Sequence, residues 1–126
     1  MSFINDMIGV TIELDQKEME ERITKFLLEN EKLIKGYQIV RDVMILTDKR
    51  IIIVDYLGLR GKKIEYQMIP YHKINRLYIE TPGNLDTDYT LKIFISGSLE
   101  PIEKQIKSDV DIYELNRIIF SYMLTK

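Results

Sequence analysis

Between Lys32 and Lys107 the chain falls into seven short runs of β-branched and aromatic residues with a period near two, and beyond them the apolar spacing widens to that of a helix. Residues 33–40 predict a long first strand, with Gly36 as a bulge or bend. Residues 43–47 and 50–55 predict two more strands, joined by a tight turn at Asp48-Lys49. Apolar residues are nearly continuous in this pair, which predicts cover on both of its faces, from an additional helix or from another protomer. After a two-glycine loop at 57–61, Ile64, Tyr66 and Met68 share one face and Glu65 and Gln67 the other, until Pro70 marks a strand end or corner. Ile74–Glu80 reads as the fifth strand, followed by a polar loop from Thr81. Leu91, Ile93 and Ile95 alternate with Lys92 and Phe94, Ser96-Gly97-Ser98 turns the chain, and Ile102 and Ile106 mark the seventh strand.

Helical spacing flanks these runs. Asp15 is placed to cap a first helix, with Glu18 three residues on. Met19, Ile23, Phe26 and Leu27 then form one apolar stripe, which packs on a core or on another subunit. Upstream, Phe3, Ile4, Met7, Ile8 and Val10 are too apolar for an indifferent tail, and Ile4, Met7 and Ile8 are candidate anchors of an interface between copies. At the other end Ser108 or Asp109 is placed to cap the last helix, with Asp111 and Glu114 in its first turn, where the helix dipole favours acids. Ile112, Leu115, Ile119, Tyr122 and Met123 line its buried face. Many strands followed by one helix predict a curled antiparallel sheet whose open end the helix plugs. No repeat or linker divides the chain. Residues 1–31 are expected to be a helical segment of the same domain as residues 32–126.

Composition narrows the function without naming it. At 126 residues the chain is one domain, long enough for a core without disulfides or metal. Cysteine is absent, which removes disulfides, thiolate nucleophiles and Cys-based metal sites. Neither a signal peptide nor a membrane span is legible, so a soluble cytoplasmic protein is the expectation. The net charge of −2 favours neither nucleic acid nor anionic membrane as a whole-molecule effect. It is unevenly spread, however: residues 1–31 carry eight acids and three bases, residues 32–76 ten bases and four acids, residues 77–126 eight acids and five bases. A basic first half of the sheet can attract an external anion, pair with the acidic segment of a neighbouring copy, or simply be a solvated surface.

Candidate chemistry is thin. The sole histidine, His72, follows Pro70-Tyr71 at a corner, and no Gly-x-Ser-x-Gly elbow accompanies it. Gly58-Leu-Arg-Gly-Lys-Lys63 has two residues between its glycines rather than four, lacks the following hydroxyl and leads into a strand, so it is no phosphate-cradling P-loop. Asp86-Thr-Asp88 lacks the third ligand, the glycine and the distant Glu of a calcium loop. The eight tyrosines are scattered through strands and read mainly as core. No cofactor is implied.

Taken in order, Tyr37-Gln-Ile-Val-Arg-Asp-Val43, Thr47-Asp-Lys-Arg-Ile-Ile52, Gly61-Lys-Lys-Ile-Glu-Tyr66, Ile69-Pro-Tyr71, Glu80-Thr81 and Leu91-Lys-Ile-Phe-Ile-Ser-Gly97 resemble the bacterial pleckstrin-homology (PH)-like family over essentially the whole chain. The resemblance implies a mainly β fold with flanking helices: seven antiparallel strands in two near-orthogonal sheets, capped by the C-terminal helix. It also implies symmetric homo-oligomeric rings and no enzymatic activity, hence no catalytic residues to carry over. Phe94 stands where the family usually has Trp. Eukaryotic relatives bind phosphoinositides through a Lys…Lys/Arg-x-Arg pattern in the first hairpin, whereas the equivalent turn here, Val40-Arg41-Asp42-Val43, has one Arg followed at once by an acid.

The expectation is therefore a non-enzymatic interaction module that assembles into a homo-oligomeric ring, with a protein or peptide as a further partner and no nucleic acid. The alternative is a membrane-surface or anion-binding domain using Lys35, Arg41, Lys49, Arg50, Arg60, Lys62 and Lys63.

Overall fold

Where polar and apolar residues alternate the backbone pleats, and where both alternating sets are apolar it pleats between two cores. The computed structural model describes residues 16–39, 42–57, 63–83 and 88–125. Helix α1 (Gln16–Phe26) precedes strands β1 (Leu33–Gln38), β2 (Asp42–Thr47), β3 (Arg50–Leu57) and β4 (Lys63–Pro70), which form a four-stranded sheet in the order β1-β2-β3-β4. One 3-10 turn (Tyr71–Lys73) carries the chain round a corner into β5 (Ile74–Glu80), β6 (Asp88–Ile95) and β7 (Ile102–Lys107), a second sheet in that order. Helix α2 (Ile112–Met123) closes the fold. All strand pairings are antiparallel.

The continuous apolar run of β2 and β3 is divided by the pleat. Met44, Leu46, Ile51 and Ile53 enter the core between the sheets, where they meet Ile69, Leu91, Ile93 and Ile106 and the α2 residues Ile112, Leu115 and Ile119. Val43, Ile45, Ile52 and Val54 point the other way and are equally buried, packed with Ile23 of α1 and with Leu27, Leu33, Tyr66 and Met68. The expected helical cover for this outer face thus comes from the chain's own N-terminal helix. Each such aliphatic side chain contributes about 1.5–3 kcal/mol when fully buried, so the outer layer is a substantial part of the fold.

Several local expectations are corrected. The N-cap of α2 is Asp111, not Ser108 or Asp109: its carboxylate accepts from the amides of Tyr113 and Glu114 at 3.1 and 3.0 Å. Residues 108 and 109 belong to the turn before it, closed by the Val110 amide on the Lys107 carbonyl. The irregularity in β1 lies between Leu33 and Lys35, while Gly36 pairs regularly with Ile45. The first strand ends at Gln38, where the Ile39 amide donates to the Asp42 carbonyl at 2.9 Å; Val40 lies outside the described residues, as do Asp15 and the upstream apolar residues. At the corner and in the last hairpin pattern and structure agree, whereas Tyr78 and Tyr113, read with the other tyrosines as mainly core, are 42% and 65% exposed. Pro70 ends β4 at the corner, and Gly97 adopts the positive φ of 86° that its turn requires.

Candidate functional site

Three polar clusters tie the elements together. The first is built on Glu31, whose side chain is fully enclosed between α1 and the β2–β3 hairpin. It accepts from Thr47 Oγ1 at 2.6 Å, from Arg50 Nε and one terminal nitrogen at 2.9 Å each, and from the Leu28 amide at 3.0 Å. Burial by itself would raise the Glu31 pKa, but these donors, Arg50 first, hold it below the ordinary carboxylate value. Arg50 also donates to the Phe26 carbonyl at 2.6 Å, capping the C-terminal end of α1. Thr47 accepts from the amides of Lys49 and Arg50, which sets the hairpin turn, and its carbonyl accepts from Tyr71 Oη at 2.7 Å.

A second cluster joins the two sheets. Asp42 and Asp55 are cross-strand partners on β2 and β3, and Lys104 of β7 reaches both, at 2.7 and 3.2 Å. One ammonium between two carboxylates leaves like charges in contact. Burial and the neighbouring Asp42 therefore push Asp55 up to about 6, against the pull of Lys104. Lys104 moves up as well, because its two acids outweigh the burial that would lower it.

At the start of α2, Tyr37 Oη donates to Glu114 at 2.6 Å, and Lys35 pairs with the same carboxylate at 3.3 Å. The Tyr37 hydrogen bond, with Lys35 behind it, lowers the Glu114 pKa; burial and the Glu114 charge raise that of Tyr37. All three clusters fasten elements together.

Of the residues proposed for anion binding, Lys35 and Arg50 have these internal partners, while Lys49 and Lys63 are exposed. Lys49 lies at the β2–β3 turn and Lys63 at the opposite end of the β3–β4 ladder, so the two are not brought together. Arg41, Arg60 and Lys62, like Ile4, Met7 and Ile8, lie outside the described residues. His72 is exposed on the 3-10 turn. Among the described residues no group of His, Cys, Asp and Glu is arranged to hold a metal ion; Asp86 is not among them. No helix among them is long and apolar enough to cross a membrane.

Two antiparallel sheets closed by a C-terminal helix and roofed by an N-terminal one define a PH-like fold. The family model described as bacterial PH domain matches residues 2–123, and the chain belongs to that family. It is 42% identical over 120 residues to the uncharacterized protein YjqA of Bacillus subtilis, covering 94% of this chain and 96% of that one. Among solved structures it is similar to a pleckstrin homology domain from Shewanella amazonensis, with 37% identity, a TM-score of 0.74 and coverage of 90% and 91% of the two chains. A pleckstrin-homology-domain protein from Shewanella loihica matches at 33% identity and a TM-score of 0.75, covering 86% and 92%.

Proposed function

We propose that this bacterial PH domain is a non-enzymatic interaction module whose copies associate with one another into a closed ring. The observation that supports this reading is an exposed apolar rim beside the covered outer face of the first sheet. Phe26, the last residue of the roof helix α1, and Leu28 just beyond it remain 40% and 58% exposed. Phe26 packs on Tyr66 with ring centroids 4.8 Å apart, so this exposed apolar rim is continuous with the buried outer layer. Exposed apolar surface of this kind is characteristic of contacts between proteins. A head-to-tail contact whose rotation closes gives a ring. In this reading Ile4, Met7 and Ile8, which lie outside the described residues, are candidate anchors of the contact, and the protein works in the cytoplasm.

Light scattering coupled to size exclusion tests it. The expected mass is a multiple of the 15.0 kDa chain, reduced by Leu28→Glu. A wild-type protein that runs as a single chain at micromolar concentration overturns the proposal.

A further inference from the structure

Charge in this molecule is polarised along β5. At one end of that strand three segments are laced into a rigid corner. The Lys32 amide donates to Asp48 Oδ1 at 2.9 Å, the Asp48 amide returns a bond to the Lys32 carbonyl at 3.0 Å, and the Tyr71 amide donates to the Lys49 carbonyl at 3.5 Å. Lys73 follows two residues later, the last residue of the 3-10 turn and the one before β5. Lys32, Lys49 and Lys73 are all exposed, and none forms an ion pair with a described residue. Asp48 is half-buried and its carboxylate is engaged by the Lys32 amide, and Glu29 is the exposed acid nearest in sequence. The apolar Leu28 borders this corner through its bond to Glu31.

The other end of β5 is acidic. Glu80 is its last residue, Asp88 opens β6 on the same outward face, and Asp109 follows β7 in the turn before α2. Lys107 stands opposite Asp88 and is the cation among them. Glu80, Asp88 and Asp109 likewise form no ion pair with a described residue. Tyr113, in the first turn of α2, is 65% exposed, as Leu28 is exposed after α1. A seven-residue strand separates the two ends by about 20 Å. Neither end can therefore neutralise the other within one molecule, because that distance exceeds the Debye length of about 8 Å at physiological ionic strength.

We propose that neighbouring copies join end to end along this axis, the basic corner of one (Lys32, Lys49, Lys73) seated on the acidic rim of the next (Glu80, Asp88, Asp109). This rests on the self-association proposed above and specifies its geometry. A patch that pairs with a different patch makes a heterologous contact, which propagates from copy to copy and closes only as a ring. Opposite charge across it sets the register and disfavours corner-to-corner and rim-to-rim pairing.

A charge-swap experiment on the full chain, read by light scattering, tests the geometry separately from the association. Lys49→Glu/Lys73→Glu makes both ends acidic, and Glu80→Lys/Asp109→Lys makes both basic; all four positions are exposed. Each variant alone is expected to fall to the mass of a single chain, and an equimolar mixture to regain the assembly, now alternating. The wild-type assembly is also expected to loosen in molar salt. A wild-type assembly indifferent to salt, variants that assemble alone, or a mixture that stays monomeric overturns the end-to-end geometry and leaves self-association standing. A monomeric wild type removes both.

Discussion

The Glu31 carboxylate has no access to solvent, so its charge is tolerable only while its four donors stay in place. Arg50→Ala removes two of them together with the cap on the Phe26 carbonyl. Breaking one partner out of such a buried pair costs about 3–5 kcal/mol, and urea denaturation is expected to show a loss in that range. At Asp55 the sign is opposite. Its pKa is raised from 3.8 to about 6 in the folded protein, so between those values the folded state holds the proton more tightly than the unfolded chain. This residue's contribution to stability is therefore greatest at low pH and declines as pH rises from about 4 to about 6. Asp55→Asn deletes the contribution, and the stability of the variant relative to wild type is expected to rise through that window. A difference that is flat or falls from pH 4 to 6 contradicts the crowded-carboxylate account.

At the scale of elements, α2 depends on its cap. Asp111→Ala deletes both side-chain bonds to the first-turn amides and is expected to cost about 1 kcal/mol in chemical denaturation. Ser108→Ala and Asp109→Ala are expected to leave stability within about 0.5 kcal/mol, as surface changes do. Sequence pattern misplaced this cap because three acidic or hydroxyl residues precede Ile112 within four positions, and only backbone geometry selects among them. The strands were far more legible. Their polar–apolar alternation, the Asp48-Lys49 turn and the break at Pro70 are local signals, and Ile74–Glu80 emerged with its observed limits. The polar clusters were not legible, since Lys104 meets Asp42 across 62 residues and Tyr37 meets Glu114 across 77. One signal was nevertheless available. Asp42 and Asp55 are equidistant from a two-residue hairpin turn, which places them opposite each other once the hairpin is accepted.

For the whole molecule, the question raised by the apolar run of β2 and β3 is what covers its second face. Within the described residues α1 supplies the roof, pinned by Ile23 at its centre and by Arg50 and Glu31 at its C-terminal end. We expect α1 to belong to the same cooperative unit as the sheets rather than to be an appendage. Ile23→Ala tests this because the substitution lies on the roof and touches neither polar latch. If α1 is integral, the cavity lowers global stability by about 2–5 kcal/mol, the cost of truncating a buried isoleucine, and the urea transition stays single. Proteolysis under native conditions should remain slow throughout residues 27–32, because opening them requires unfolding the sheet as well. If α1 is a separable strap, the sheet transition keeps its wild-type midpoint while cleavage at residues 27–32 accelerates, and the two-core account of the fold fails.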